Sequence, residues 1–244
     1  MVQNNSDIWG MVVAMKAEQA ERPPLSRQDR AALDAWYDVE LTYTSCALEG
    51  NSLTRREVDL LFNAATPALG KPLRDQLEVQ DHREALRYAR LLASQRDPIR
   101  ETDIRELHRL VLNITKPDLA GRYSTTQRHI QGSNTRLPGP LDIAPMMQAF
   151  GQWLGQTDAH PHNAVTAHTR LVEIHPFDDG NGRTARLLMN LMLMRTGYPP
   201  IIITPEQRPD YLAGLEARHA DGEPEALDRF MVERLKEGLR RVLR

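Results

Sequence analysis

His175-Pro-Phe-Asp-Asp-Gly-Asn-Gly-Arg-Thr-Ala-Arg186 separates two apolar helical patterns, and the rest of the chain is read outward from it. Gly180-Asn181-Gly182 lies where one helix ends and a hydrophobic one begins. Glycines at that junction permit positive φ and let a ligand approach the backbone. The N–H groups of the following helix start, with its dipole, form an anion site. Arg183 and Arg186 are i, i+3 neighbours and emerge together on its first turns. Two guanidinium groups above an N–H nest suit a polyphosphate better than one carboxylate. Asp179 beside that nest would repel phosphate unless a cation bridged them, and Mg2+ bound by one carboxylate plus phosphate oxygens resolves the conflict. His175, neutral near pH 7, is available as a general base. Phe177 reads as a hydrophobic anchor. Taken singly, each of these residues is more often structural, since Gly-Asn-Gly turns and solvated Arg pairs are common. The combination in one loop carries the reading. No Gly-Lys-Ser/Thr follows the glycines, so this is not a Walker loop.

Outward from the loop, helical periodicity dominates and strand-like alternation is scarce. Helices are predicted over His162–Ile174 before the loop and Gly182–Thr196 after it. The apolar run Leu187–Met194 is too short to span a bilayer and is interrupted by Asn190. Further upstream, Asp142–Leu154, Thr102–Leu112 and Leu73–Ala93 read as amphipathic helices. Thr54-Arg-Arg-Glu57 is a capping box, and its short helix is closed by Pro67 and Gly70. Ser26 opens a helix that runs to Glu49, with Gly50 as its stop. Between Gly121 and Pro140, two extended runs around Gly132-Ser133-Asn134 predict a small β-hairpin. Thr204-Pro205-Glu-Gln207 starts another helix, and two more finish the chain. The expected fold is mostly α with one short hairpin. It divides into an N-terminal helical region over 1–98 and a core with C-terminal helices over 99–244, together one compact unit.

Composition limits the classes of function. With 41% hydrophobic and 26% charged residues in 244, the chain is globular, and a net charge of −2 gives no field that favours nucleic acid. A single cysteine, Cys46, excludes internal disulfides. The amino terminus lacks a secretory pattern, so the expectation is cytoplasmic, with no membrane partner. His160, His162, His168 and His175 do not have metal-ligand spacing, and His168 reads as a structural histidine. Met189, Met192 and Met194 read as core.

The motif His-x-Phe-x-Asp-Gly-Asn-Gly-Arg-x-x-Arg defines Fic domains, and residues 175–186 resemble it at every specified position. Similarity to the family's flanking helices extends through Ala167-His168, Ile174 and Leu187-Leu-Met-Asn190. Ala120-Gly121-Arg122-Tyr123 and Gly132-Ser133 resemble the approach to its flap hairpin. The resemblance covers roughly Ser45 to Phe230 and implies a Fic-type helical bundle.

It also implies a protein adenylyltransferase that moves AMP from ATP to a Ser, Thr or Tyr hydroxyl of a target protein. His175 would deprotonate the hydroxyl. Asp179 would hold Mg2+, and Gly180, Asn181 and Gly182 would form the anion hole. Arg183 and Arg186 would engage the phosphates, with Asn190 at the adenine end. The hairpin would hold the target segment by strand addition.

Ser45-Cys-Ala-Leu-Glu49-Gly50-Asn51 resembles the family's inhibitory-helix motif at Ser45 and Glu49. The implied contact is Glu49 with Arg186, which would occupy the arginine meant for the γ-phosphate. A homodimer is a further expectation from the resemblance. Two alternatives stand beside this reading: an enzyme that removes AMP or transfers another phosphate-containing group, and a regulatory module that binds nucleotide without turnover. An intact His175 argues against the last.

Overall fold

The computed structural model describes residues 5–129, 136–158, 160–221 and 223–242. Among them are α1 (Asn5–Ala20), α2 (Arg27–Ala47), α3 (Arg55–Asn63), α4 (Leu73–Ser94), α5 (Glu101–Val111), α6 (Pro140–Gln156), α7 (Pro161–Ile174), α8 (Asn181–Arg195), α9 (Arg208–Asp221) and α10 (Glu225–Val242).

Local chemistry sets several boundaries. Ser26 Oγ accepts from the Asp29 amide at 3.1 Å and caps α2. Thr54 and Glu57 form the predicted capping box of α3. After Thr204 the chain makes a single 3-10 turn, Pro205–Gln207, before α9 begins at Arg208. Helix α1 was not foreseen from the sequence.

Helix α8 is the axis of the molecule. It is buried nearly all round and packs against α2, α4, α5 and α7, the pattern of a helix enclosed by its neighbours. One cluster of buried side chains joins Trp9 and Val12 of α1, Leu41 of α2, Leu86 of α4, Leu107 of α5, Leu188 of α8 and Met231 of α10. A smaller cluster of Val39, Cys46, Leu53, Val58 and Val79 pins α3 against α2 and α4. The polar start of α8 is therefore held from several sides, which places the loop before it on a rigid base.

The predicted hairpin turn, Gly132-Ser133-Asn134, lies outside the described residues. Its flanks, 122–129 and 136–139, carry no strand, and among the described residues there is none. Ser124 N–H nonetheless donates to Pro176 O at 2.9 Å, which ties this segment to the loop.

Candidate active site

The loop from α7 to α8 is built from interlocking local contacts. The amide of His175 closes α7 on Leu171 O at 2.9 Å, and His175 itself sits at φ +48°. A non-glycine residue in that region carries backbone strain, which persists where the surroundings over-determine it. Phe177 supplies much of that determination. It is fully buried and stacks on His108 with ring centroids 3.6 Å apart. The Asn181 side chain accepts from Phe177 N at 3.0 Å and donates to Phe177 O at 2.7 Å, clamping the turn.

His108 is the second clamp. Its Nδ1 accepts from Gly121 N–H at 3.0 Å, so Nε2 carries the proton and donates to Asp179 O at 2.9 Å. Burial pushes its pKa down to about 4, in keeping with a neutral ring. Gly180 turns at φ +76°, and a Cβ there would stand 3.3 Å from the His108 ring and from Val111. Both the dihedral and the tight space favour glycine at that position.

The start of α8 is crowded with charge. Arg186 is buried and donates through Nη2 to Glu49 Oε1 at 2.7 Å and to Ser45 O at 2.9 Å. Its Nε donates to Ser45 Oγ at 3.0 Å. A Cβ at Gly182 would collide with Glu49 Oε1, so the carboxylate lies directly against the first turn of α8. Burial opposes the Glu49 charge, but Arg186 outweighs it and holds the carboxyl below its usual range.

Arg183 is equally committed. It pairs with Glu78 of α4 and, through Nη2, with Asp179 Oδ1 at 3.1 Å. Asp179 Oδ2 meets Lys116 Nζ at 2.5 Å, and Oδ1 accepts from Gly180 N–H at 2.6 Å. Burial disfavours the Asp179 charge, yet Lys116 and Arg183 hold its pKa down. Glu78 Oε2 also accepts from Asn51 Nδ2 at 2.7 Å, so the segment 49–51 reaches both arginines.

His175 Nδ1 lies 3.3 Å from Val172 O. An acceptor there places the proton on Nδ1 and leaves Nε2 with its lone pair. Burial lowers the His175 pKa, so the ring is neutral at pH 7. His175, Gly182, Arg186 and Glu49 line one cavity of about 430 Å³, with Val172, Leu212 and Leu215 among its apolar walls. That size and lining suit a small organic ligand with an anionic group.

Asn190 does not join this cavity. Its amide is spent on Ile201, donating to O at 3.0 Å and accepting from N at 2.8 Å. His168 is structural in the sense expected, with Nε2 2.7 Å from the Tyr211 hydroxyl in the core. Glu78, Lys116 and His108 are the site residues that sequence reasoning missed. Among the described residues no cluster of three or more His, Cys, Asp or Glu could hold a metal ion. An ion on Asp179 would take most of its remaining ligands from water and from a bound phosphate, as Mg2+ commonly does.

Comparison with known proteins bears on these features. The Fic/DOC family model matches residues 98–193. The chain is 41% identical over 201 residues, 80% of its length, to the protein adenylyltransferase Fic of Nematostella vectensis, of which it covers 46%. It is 40% identical over 186 residues to the protein of the same name from Drosophila grimshawi, covering 75% of this chain and 38% of that one. The chain therefore spans less than half the length of these curated relatives. Its fold superposes on C. elegans Fic-1 with a TM-score of 0.87 at 31% identity, covering 98% of this chain and 72% of that one.

Proposed function

The chain belongs to the Fic/DOC family, and from that membership we propose a protein adenylyltransferase, restrained in cis by Glu49. The observation that carries this reading is the Glu49 carboxylate itself. It rests on Arg186 and against Gly182, where a ligand's anionic group would bind. In this reading the resting protein already holds a carboxylate where phosphate belongs.

His175 Nε2 takes the proton of a target hydroxyl, and the hydroxyl oxygen attacks the α-phosphorus of ATP. The α–β phosphoanhydride bond breaks, and pyrophosphate leaves. The N–H groups of Asn181 and Gly182, at the start of α8, stabilise charge that develops on the α-phosphate oxygens. Arg186, once released by Glu49, binds the outgoing phosphates, and Arg183, held by Glu78 and Asp179, adds positive charge beside them. Asp179 is the residue that would hold Mg2+, which when bound offsets the charge of the phosphates. Asn181 and Phe177 act on the reaction only by fixing the loop. A cytoplasmic setting and a homodimer belong to the same proposal. Among the described residues, no helix is long and apolar enough to cross a membrane.

The test is the position of the label. Glu49→Gly protein incubated with Mg2+ should acquire label from α-labelled ATP and none from γ-labelled ATP. Transfer of the γ label, or transfer of neither, would overturn adenylyl transfer.

A further inference from the structure

Lys116 has no part in the scheme above, yet its ammonium is seated on the carboxylate proposed to take the metal. The distance from Nζ to Asp179 Oδ2 is 2.5 Å. The other carboxylate oxygen is engaged by Arg183 and by the Gly180 amide. Asp179 is therefore neutralised from both sides by the chain itself. A divalent ion can reach the carboxylate only if one cation yields.

Geometry decides which one. Arg183 has a side chain only 4% exposed and is also held by Glu78. Lys116 has a side chain 36% exposed and, among the described residues, pairs with no second carboxylate. Its backbone, by contrast, is fixed. Asp81, buried at 1% exposure, accepts from Ile114 N at 2.9 Å and from Thr115 N at 3.0 Å and Oγ1 at 2.9 Å. Lys116 N then donates to Leu112 O at 3.0 Å. The turn presents a flexible cationic arm from a rigid root, so the ammonium can leave Asp179 without moving the loop.

We infer that Lys116 is a built-in substitute for the divalent cation. It neutralises Asp179 while no metal is bound and transfers its charge to the phosphate oxygens when metal takes the carboxylate. This rests on the nucleotide-binding reading of the site. Two consequences follow from linkage between metal and nucleotide. Without metal, Lys116 shields the incoming anion from Asp179 and supports some nucleotide binding. With metal, displacing Lys116 costs part of the gain the ion would otherwise bring. Removing the ammonium should therefore make nucleotide binding depend more steeply on metal.

The experiment measures the Kd of AMPCPP, whose α,β-methylene group blocks adenylyl transfer, by calorimetry in EDTA and in saturating Mg2+. Glu49→Gly protein is the parent, because Arg186 is then free for the ligand. The ratio of Kd in EDTA to Kd in Mg2+ should rise about fivefold on adding Lys116→Gln, the scale of a modest coupling between two sites. Lys116→Arg keeps the charge and should leave the ratio near the parent's. Equal thermal midpoints of the three proteins would show that folding is intact. An unchanged or smaller ratio in Lys116→Gln would overturn the inference while leaving the nucleotide site standing. Failure of the parent to bind AMPCPP under either condition would remove the nucleotide reading, and this inference with it.

Discussion

Glu49 Oε1 stands 2.7 Å from Arg186 Nη2, across 137 residues of chain. The contact joins the C-terminal end of α2 to the first turns of α8. Two residues further on, Asn51 touches Glu78, the partner of Arg183. One short segment therefore bears on both arginines of the loop, directly on Arg186 and through Glu78 on Arg183. A ligand that needs these guanidinium groups must compete with carboxylates already in place.

Removing the first of those carboxylates should strengthen nucleotide binding. In Glu49→Gly, Arg186 keeps its bonds to Ser45 and gains a free donor towards the cavity. Affinity for AMPCPP in Mg2+ should rise about tenfold, the value of one charge-assisted contact. Titration calorimetry checks this, and equal affinities would show that Glu49 does not compete with the ligand.

Glu78→Gln should act differently, because Arg183 is buried at 3% exposure and cannot reach water when its partner loses charge. Breaking a buried pair from one side should cost about 3 kcal/mol of stability. Urea denaturation measures it. A variant as stable as the parent would mean that Asp179 alone satisfies Arg183.

Phe177→Ala should remove both packing and loop geometry. Loss of a fully buried phenyl ring stacked on His108 should destabilise the fold by about 3 kcal/mol. It should also reduce AMPCPP binding, since the turn through Gly180 would lose its anchor. A destabilised variant that binds normally would separate the anchor from the site.

Acid should weaken the fold through its buried histidines. Burial holds His108 down to about 4 and His82 and His168 down to about 3. Their unfolded values lie near the ordinary 6.5, so between these limits the unfolded chain binds more protons. Stability from the neutral rings is fully present above about pH 6.5 and drains away as pH falls towards 4. The slope should approach roughly 1 kcal/mol per pH unit for each ring. Urea midpoints at pH 7 and pH 5 test this, and a flat profile would contradict it. For His175, whose pKa burial also lowers, the acid limb of activity should lie below the usual histidine range.

Much of this was legible in the sequence because its signals are local. Capping boxes, the Gly180–Gly182 turn and the Phe177 anchor each depend on residues within a few positions of one another. The 175–186 motif and the Ser45–Glu49 run went further, since family resemblance pointed to a pairing that no spacing could show. Helix α1 escaped because its apolar residues Ile8, Trp9 and Val12 are secured by distant α10 rather than by a clear stripe. Glu78 and Lys116 escaped for a related reason. Each is an ordinary charged residue, and only the fold brings them onto Arg183 and Asp179 from 105 and 63 positions away. Asn190, in the middle of the apolar run on α8, is expected near a ligand, but its amide is used to hold the connector at Ile201.

The most direct test compares three proteins with Mg2+ and α-labelled ATP: wild type, Glu49→Gly and Glu49→Gly/His175→Ala. Label should accumulate on Glu49→Gly, remain weak on wild type and be absent from the double variant, while the double variant still binds AMPCPP. Equal labelling of Glu49→Gly and the double variant would contradict a base at His175. Equal labelling of wild type and Glu49→Gly would contradict restraint by Glu49.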